Sequence, residues 1–533
     1  MSIMAYMPYG AGGIIIRVEA DIRRGIPGVD ISGLAEGAVR EARDRVRAAF
    51  RNSGFTFPLD RILINLAPAG MKKDGAALDL PIALSVMAAA GIVPISGNLL
   101  VMGELELSGK IRPVRGVLAA IAAGLSEGIT EFIVPAENAK EAAILTEKGA
   151  RFIAAENLGN AVHTLFIREE TGEFPKSLET DAVVLETASA AAMENTGDFA
   201  DVLGQTIYKR ALEIAAAGGH NVLAFGPPGA GKTMLARRLP SIMAKLTPDE
   251  AVEVTRLYSL AGPHLNNGGF IDRLITVPPL RSPHHSASAE GILGGGRIPR
   301  PGEISLAHFG VLFLDEAPEF RINVLQALRE PLEDKVISIS RAEGPVLLPA
   351  EFQLLMTANA CPCGRLGMRE TQNACLCSPE EINRYWRKFG GALLDRVEIR
   401  AAILPPKAEQ MSRQNGGIHN TGESKEFARR VSAAVEIQRY RFNGMKIRRN
   451  ALIPASKASQ MCQMNGKAEN ALLTAISKLG LSGRAYHGIL RVARTIADLE
   501  GKDSIEAEHI LEAVHHRRLG EDPWEILSVN AGL

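Results

Sequence analysis

The stretch "NVLAFGPPGAGKTMLARRL" joins an apolar strand-like run, a glycine-rich turn and a helix-forming run, and its turn fits G-x-x-x-x-G-K-T from Gly226 to Thr233. Gly226, Pro227, Pro228, Gly229, Ala230 and Gly231 make a loop whose backbone N–H groups can close round phosphate oxygens, the glycines permitting the close approach. Lys232 then reaches the β- and γ-phosphates, and the Thr233 hydroxyl holds Mg²⁺. Downstream, "GVLFLDEAPEF" is a buried strand ending in two carboxylates. Asp315 completes the Mg²⁺ shell there, and Glu316 orients or deprotonates the attacking water. "FQLLMTANA" is a further apolar strand ending in Asn359, placed to polarise that water or sense the γ-phosphate, although an asparagine after a strand is also an ordinary turn former. ATP and Mg²⁺ are the cofactors these residues call for.

"CPCGRLGMRETQNACLC" sets Cys361, Cys363, Cys375 and Cys377 as two Cys-x-Cys pairs. Four thiolates so grouped can surround a structural, tetrahedral Zn²⁺. Metal-free surface thiols are the alternative, and an iron–sulfur cluster is less favoured because nothing else suggests redox work. His284 and His285 lack a third ligand type at suitable spacing, so a metal is rejected there. Gly294, Gly295 and Gly296 followed by Arg297 and Arg300 form a flexible loop that can touch a phosphate backbone, and equally an ordinary surface loop. The basic run with Arg429, Arg430, Arg439, Arg441, Lys446, Arg448 and Arg449, interleaved with Tyr440 and Phe442, suits a grip on single-stranded nucleic acid or a solvated helix.

The elements that must position these residues form an α/β chain of several domains, as 533 residues exceed one ordinary core. Residues 1–166 alternate strand-like runs ("GIIIRVEADI", "RILINLAP", "EFIVPA") with helix-like ones, in which Val46, Ala49 and Phe50 mark a core-facing stripe. Residues 167–197 are polar and acidic and read as a linker, 198–405 form the nucleotide-binding unit, and 406–533 are helical, with Ser504 expected to cap the last helix. Lys plus Arg (60) equals Asp plus Glu (60), so whole-chain charge makes no case for nucleic acid. No secretory leader or membrane-spanning run is expected, and five cysteines, four of them clustered, suit the reducing cytoplasm.

In that order, the P-loop, "FLDE", the strand-end asparagine, "LLDR" and "LSGR" resemble AAA+ ATPases of the magnesium-chelatase-like branch. The resemblance implies that Asn359 is sensor 1, Arg396 a finger reaching a neighbouring subunit's nucleotide, and Arg484 the sensor-2 arginine of an all-α lid. It thereby implies a homo-hexameric ring. "RSPHHSASAE…GGG…PRPGEISLAHFGVLFLDEAPEF…LREPLED" is more specific and resembles the ComM (YifB) family, over nearly the whole chain. That family implies helix-2 and cysteine-rich insertions in the AAA+ core, and an ATP-driven motor on branched or single-stranded DNA. Its role there is branch migration while incoming DNA is integrated in natural transformation, alongside recombination proteins.

"LAPAGMKKDGAALDLPIALSVM…GELELSGKIRPVRGVLAAIAAGLSEGITEFIVPAEN" is similar to the Lon peptidase domain, a ribosomal S5-like fold. Lon chemistry needs a serine nucleophile and a lysine base. The alignment sets Ala77 at the serine position and Leu118 at the lysine position, and Ser85, Ser108 and Lys110 fall off the motif. A peptidase is therefore disfavoured. A magnesium-chelatase motor subunit and an ATP-switched scaffold or chaperone remain the rival readings.

Overall fold

The computed structural model describes residues 2–33, 37–73, 75–94, 98–171, 174, 197–263, 269–341, 344–366, 375–404 and 422–518. In the first block, strands β1 (Ser2–Met7), β2 (Ile14–Arg23), β3 (Gly28–Ser32), β4 (Arg61–Ala67) and β5 (Leu99–Val101) precede the short antiparallel pair β6 (Glu104–Leu105) and β7 (Ile111–Arg112), then β8 (Glu131–Pro135) and β9 (Arg151–Ala155). All but β6 and β7 join one mixed sheet, in the order β3-β4-β2-β1-β5-β8-β9. The two-residue period of a strand explains β2, in which Ile16 and Val18 are buried while Arg17 between them is exposed.

Helices α1 (Gly37–Asn52), α2 (Asp79–Ala89), α3 (Val117–Ser126), α4 (Ala139–Ala143) and α5 (Leu158–Thr171) complete this block. Val46, Ala49 and Phe50 of α1 are buried, as their helical spacing predicts. α2 is buried from Asp79 to Ala88, consistent with its nearly unbroken apolar run. Its one charge is held by Arg45, whose Nε and Nη2 donate to the two Asp79 oxygens at 2.8 and 3.0 Å. α5 runs to Thr171, so the first residues expected as linker are helical. Residues 175–196 of that segment lie outside the described residues.

The second block contains α6 (Thr206–Gly218), β10 (Val222–Phe225), α7 (Lys232–Arg238), α8 (Pro248–Ala261), β11 (Leu280–Arg281), the hairpin β12 (Gly294–Gly295) and β13 (Arg300–Pro301), β14 (Val311–Leu314), the hairpin β15 (Val336–Ile339) and β16 (Val346–Pro349), β17 (Gln353–Ala358) and β18 (Ile399–Ala402). Five strands form an all-parallel sheet in the order β11-β14-β17-β10-β18. β10, β14 and β17 are buried along their whole length, as strands of a parallel sheet covered on both faces must be. In such sheets the loops leaving the carboxyl ends of the strands carry the ligand site. Here those are the loops after Phe225, Leu314 and Ala358.

The helices Glu423–Arg441, Ala455–Met461, Gly466–Leu479, Gly483–Leu499 and Ala507–Arg518 make the last block. Phe427, Val431 and Ile496 share a core with Leu212 and Ala215 of α6. Ser504 does not cap the last helix. Ile505 instead bridges to Met464, and Glu506 N donates to His509 Nδ1 at 2.9 Å as the helix opens.

Candidate functional site

Gly226 leaves β10 at φ 155°, and a Cβ there would lie 2.0 Å from the Ile403 carbonyl oxygen. Only glycine lets the loop pass this close to the end of β18. Gly229 and Gly231 are left-handed too, and α7 begins at Lys232. The Lys232 Nζ donates to Gly226 O at 2.7 Å and Pro227 O at 2.8 Å, and meets Asn359 Oδ1 at 3.3 Å. Burial lowers this ammonium to about 8, against the pull of Asp315 and Glu316.

The Thr233 hydroxyl donates to Asp315 Oδ1 at 2.9 Å, so the two groups read from sequence as Mg²⁺ ligands stand together. Thr357, which the sequence reading passed over, donates to the same oxygen at 2.5 Å and accepts from Glu316 N at 3.0 Å. One hydroxyl on β17 thus aligns both carboxylate residues that follow β14. Glu316 itself sits at φ 51°, a left-handed conformation that costs a non-glycine residue about 1–3 kcal/mol and recurs at functional sites. Gln205 was missed as well. Its Nε2 donates to Ala230 O at 3.0 Å and Leu404 O at 2.7 Å, tying the P-loop to the chain beyond β18. Thr357 left a signal, a hydroxyl in an apolar strand two residues before Asn359; Gln205 left none.

Arg396 and Arg484 do not join this group. Ser482 caps the helix carrying Arg484, accepting from Ala485 N, and so sets Arg484 in its first turn. Arg484 Nη2 meets Glu333 Oε1 at 3.2 Å, and Arg396 Nη2 bonds Glu333 Oε2 while its Nη1 donates to Ala392 O at 2.6 Å. The Arg396 hydrogen bond, together with both guanidinium charges, holds Glu333 below the usual carboxylate range. The two arginines border a cavity of about 590 Å³ that also takes in Asn221, Gln353 and Glu398. Those three stand at the amino ends of β10, β17 and β18, the end of the sheet opposite the P-loop.

Cys361 Sγ lies 3.3 Å from Cys363 Sγ and 3.6 Å from Cys375 Sγ, and the four sulfurs, with Cys377, fall within 4.8 Å of one another. These separations exceed a disulfide bond and approach the ~3.8 Å edge of a tetrahedron with ~2.3 Å metal–sulfur bonds. Desolvation acts to raise Cys363, but the Arg365 N–H and the neighbouring thiols outweigh it and bring the thiol down to about 7, while burial pushes Cys375 up to about 12. The donor set therefore fits a thiophilic metal. Gly364, inside this loop, abuts the P-loop: a Cβ there would lie 3.2 Å from Pro228 Cδ.

Most of the basic run is engaged internally. Arg430 pairs with Glu213 and Glu426, Arg439 with Glu436, Arg441 with the fully buried Asp498, and Arg448 with Glu250. Phe442 is buried, leaving Tyr440 exposed. Arg297 and Arg300 are exposed around the β12–β13 hairpin. His284 and His285 stack on each other, ring centroids 4.0 Å apart, and the cysteines are the sole metal-suited cluster among the described residues.

Three family models match the chain: "Magnesium chelatase, subunit ChlI" over residues 198–411, "Subunit ChlI of Mg-chelatase" over 18–138, and "Magnesium chelatase, subunit ChlI C-terminal" over 421–517. The chain is 41% identical over 513 residues to the competence protein ComM of Haemophilus influenzae, covering 95% of each. It is 40% identical over 513 residues to the uncharacterized protein YifB of Escherichia coli, covering 95% of this chain and 94% of that one. A Lon protease of Solibacter usitatus is 26% identical over 137 residues, 24% of this chain and 17% of its own.

Proposed function

This chain belongs to the ComM/YifB family of magnesium-chelatase-like AAA+ ATPases, and from that premise we propose that it is a ring-forming motor that acts on DNA. The ring reading is carried by one observation: Arg396 and Arg484 meet on Glu333 at the end of the sheet opposite their own P-loop. Arginines so placed serve the nucleotide of a neighbouring subunit, which a closed hexamer supplies to every member.

In this mechanism the backbone N–H groups of Gly229, Ala230 and Gly231 and the Lys232 ammonium bind the phosphates, and Thr233 and Asp315 would hold Mg²⁺. When bound there, Mg²⁺ would supply positive charge to offset that of the phosphates. Glu316, steadied through Thr357, takes the proton of the attacking water, and Asn359 orients that water. The neighbour's Arg396, with its Arg484, stabilises the charge that develops on the transferred group; such a finger is worth about 10³–10⁵ in rate. Cys361, Cys363, Cys375 and Cys377 would hold a structural Zn²⁺ that braces the chain just beyond Asn359.

The DNA reading rests on family membership, and the paired hairpins support it. Arg341 bonds the Gly296 carbonyl, and Leu348 of β16 packs against Gly294, so β12–β13 and β15–β16 stand side by side. Their exposed Arg297 and Arg300 suit phosphate contact. The protein works in the cytoplasm, and among the described residues no helix is long and apolar enough to cross a membrane. The test is ATPase rate with branched, single-stranded and duplex DNA. Stimulation by branched DNA above the duplex control is expected; equal rates on every form would count against the motor. The chelatase names of the matching family models favour one second reading, a metal-insertion motor, which requires tetrapyrrole-dependent ATP turnover.

A further inference from the structure

The first block keeps a Lon-like shell without its dyad, and what covers the two dyad positions gives a reason. Ala77 and the fully buried Leu118 lie in one apolar cluster that also takes in Val252 and Leu260 of α8, from the ATPase block. The backbones join there as well, Gly116 N donating to Ser259 O at 3.1 Å. Gly116 precedes α3 at φ 81°, and a Cβ on it would lie 3.3 Å from Leu260 Cδ2.

Beside Leu118 is the carboxylate of Glu141, only 1% exposed. Its Oε1 accepts from Leu118 N at 2.9 Å and from the Ser259 hydroxyl of α8, and its Oε2 accepts from Asn138 Nδ2 at 3.0 Å. Each of these donors is neutral, and burial raises the carboxyl in spite of them. A buried carboxylate needs every such partner, and one of them comes from the other block.

α8 has a second attachment. Its capping-box residue Glu250 accepts from Arg448 Nη1 at 3.1 Å, and Arg448 lies between the helices of the last block. The helix carries Glu250 and Ser259 nine residues apart, which sets the two attachments about 14 Å from one another. The 8–13 loop of the first block makes a further contact. Gly10 N donates to Pro299 O at 3.0 Å, and a Cβ on Gly10 would lie 2.6 Å from Val346 Cγ1. The first block therefore touches both hairpins that flank the sheet.

We propose that the vacated peptidase cleft is the seat of α8, locked by Leu118, Glu141, Ser259 and Leu260, and that α8 transmits movement of the last block to the first block and to the hairpins its loop touches. A cleft filled by the chain's own helix has no room for a peptide, and the seat replaces the lost chemistry with a mechanical joint.

The seat is tested without DNA or nucleotide, so its failure is distinct from failure of the motor reading. A protease site is inserted into 175–196 of the full-length chain and cut after purification. The wild-type halves are expected to co-elute on gel filtration, and Leu260→Asp halves to separate. The milder Ser259→Ala keeps the packing, and in the uncut chain it is expected to speed hydrogen exchange at the Leu118 amide by about tenfold or more. Wild-type halves that part on cutting would overturn the seat. So would folded Leu260→Asp halves that stay together, or Ser259→Ala exchange equal to wild type. Transmission is read as a nucleotide-dependent change in that same exchange rate, present in wild type and lost in Arg448→Ala; equal wild-type rates with and without nucleotide would overturn it.

Discussion

Arg396 and Arg484 close on the two oxygens of one carboxylate, Glu333, one arginine from just before β18 and the other from the first turn of a helix in the last block. The Glu333 side chain is 52% exposed, so each bridge is worth at most about 1 kcal/mol and is easily exchanged for a phosphate. Glu333→Gln should therefore change kcat by less than about tenfold, whereas Arg396→Ala should lower it by about 10³ or more. Steady-state ATPase assays separate the two. Mixing Arg396→Ala with Glu316→Gln subunits should recover part of the activity, since some interfaces then hold one intact set. No recovery at any ratio would sink the shared site.

Lys232 gives a pH dependence with a definite sign. Its ammonium is lowered to about 8 by burial, so its stabilising contribution is present above the unfolded value of 10.5 and is lost as pH falls through about 8. Phosphate binding has the opposite requirement, because it uses the charged form. ATP affinity should hold steady up to about pH 8 and then weaken by up to about tenfold per pH unit, the limit for loss of one proton. Fluorescent-nucleotide titration across this range should show the dependence, and Lys232→Ala should lose it along with most of the affinity.

Thr357→Val removes the hydroxyl that donates to Asp315 and accepts from Glu316 N, while keeping the shape of the side chain. Partners one step behind a metal ligand are typically worth about 10–100-fold. A fall of that size in kcat is expected, with little change in KM for ATP, and Thr357→Ser should restore activity. An unchanged rate in the valine variant would remove Thr357 from the site.

The cysteine cluster should hold one equivalent of zinc per chain by elemental analysis. Cys361→Ser removes its one buried ligand and should lose the metal. The transition of the ATPase block should then fall by roughly 5 °C or more. Full retention of metal by the serine variant would rule out the proposed ligand set.

The parts legible in advance were those written in consecutive residues. Ile16 and Val18 alternate with Arg17 in β2, Val46, Ala49 and Phe50 recur at helical spacing in α1, and the carboxylates and Asn359 follow buried strands. The basic run around Arg441 was less legible, its spacing suiting a grip on nucleic acid and a solvated helix alike. Arg441 turns inward to Asp498, a partner far along the chain that no local window contains.

By itself, the sequence determined the glycine-rich turn from Gly226 to Thr233, the carboxylate pair Asp315 and Glu316, the clustered cysteines, and alanine and leucine at positions 77 and 118. These depend on residue type and on turn geometry set by near neighbours. Only the tertiary structure decided that Thr357 steadies both carboxylate residues, that Arg396 and Arg484 share Glu333, and that Ser259 reaches Glu141 across two blocks. Each of these joins side chains from separate elements. Their meeting depends on how buried faces pack, and close packing chooses among side chains that look alike in the sequence.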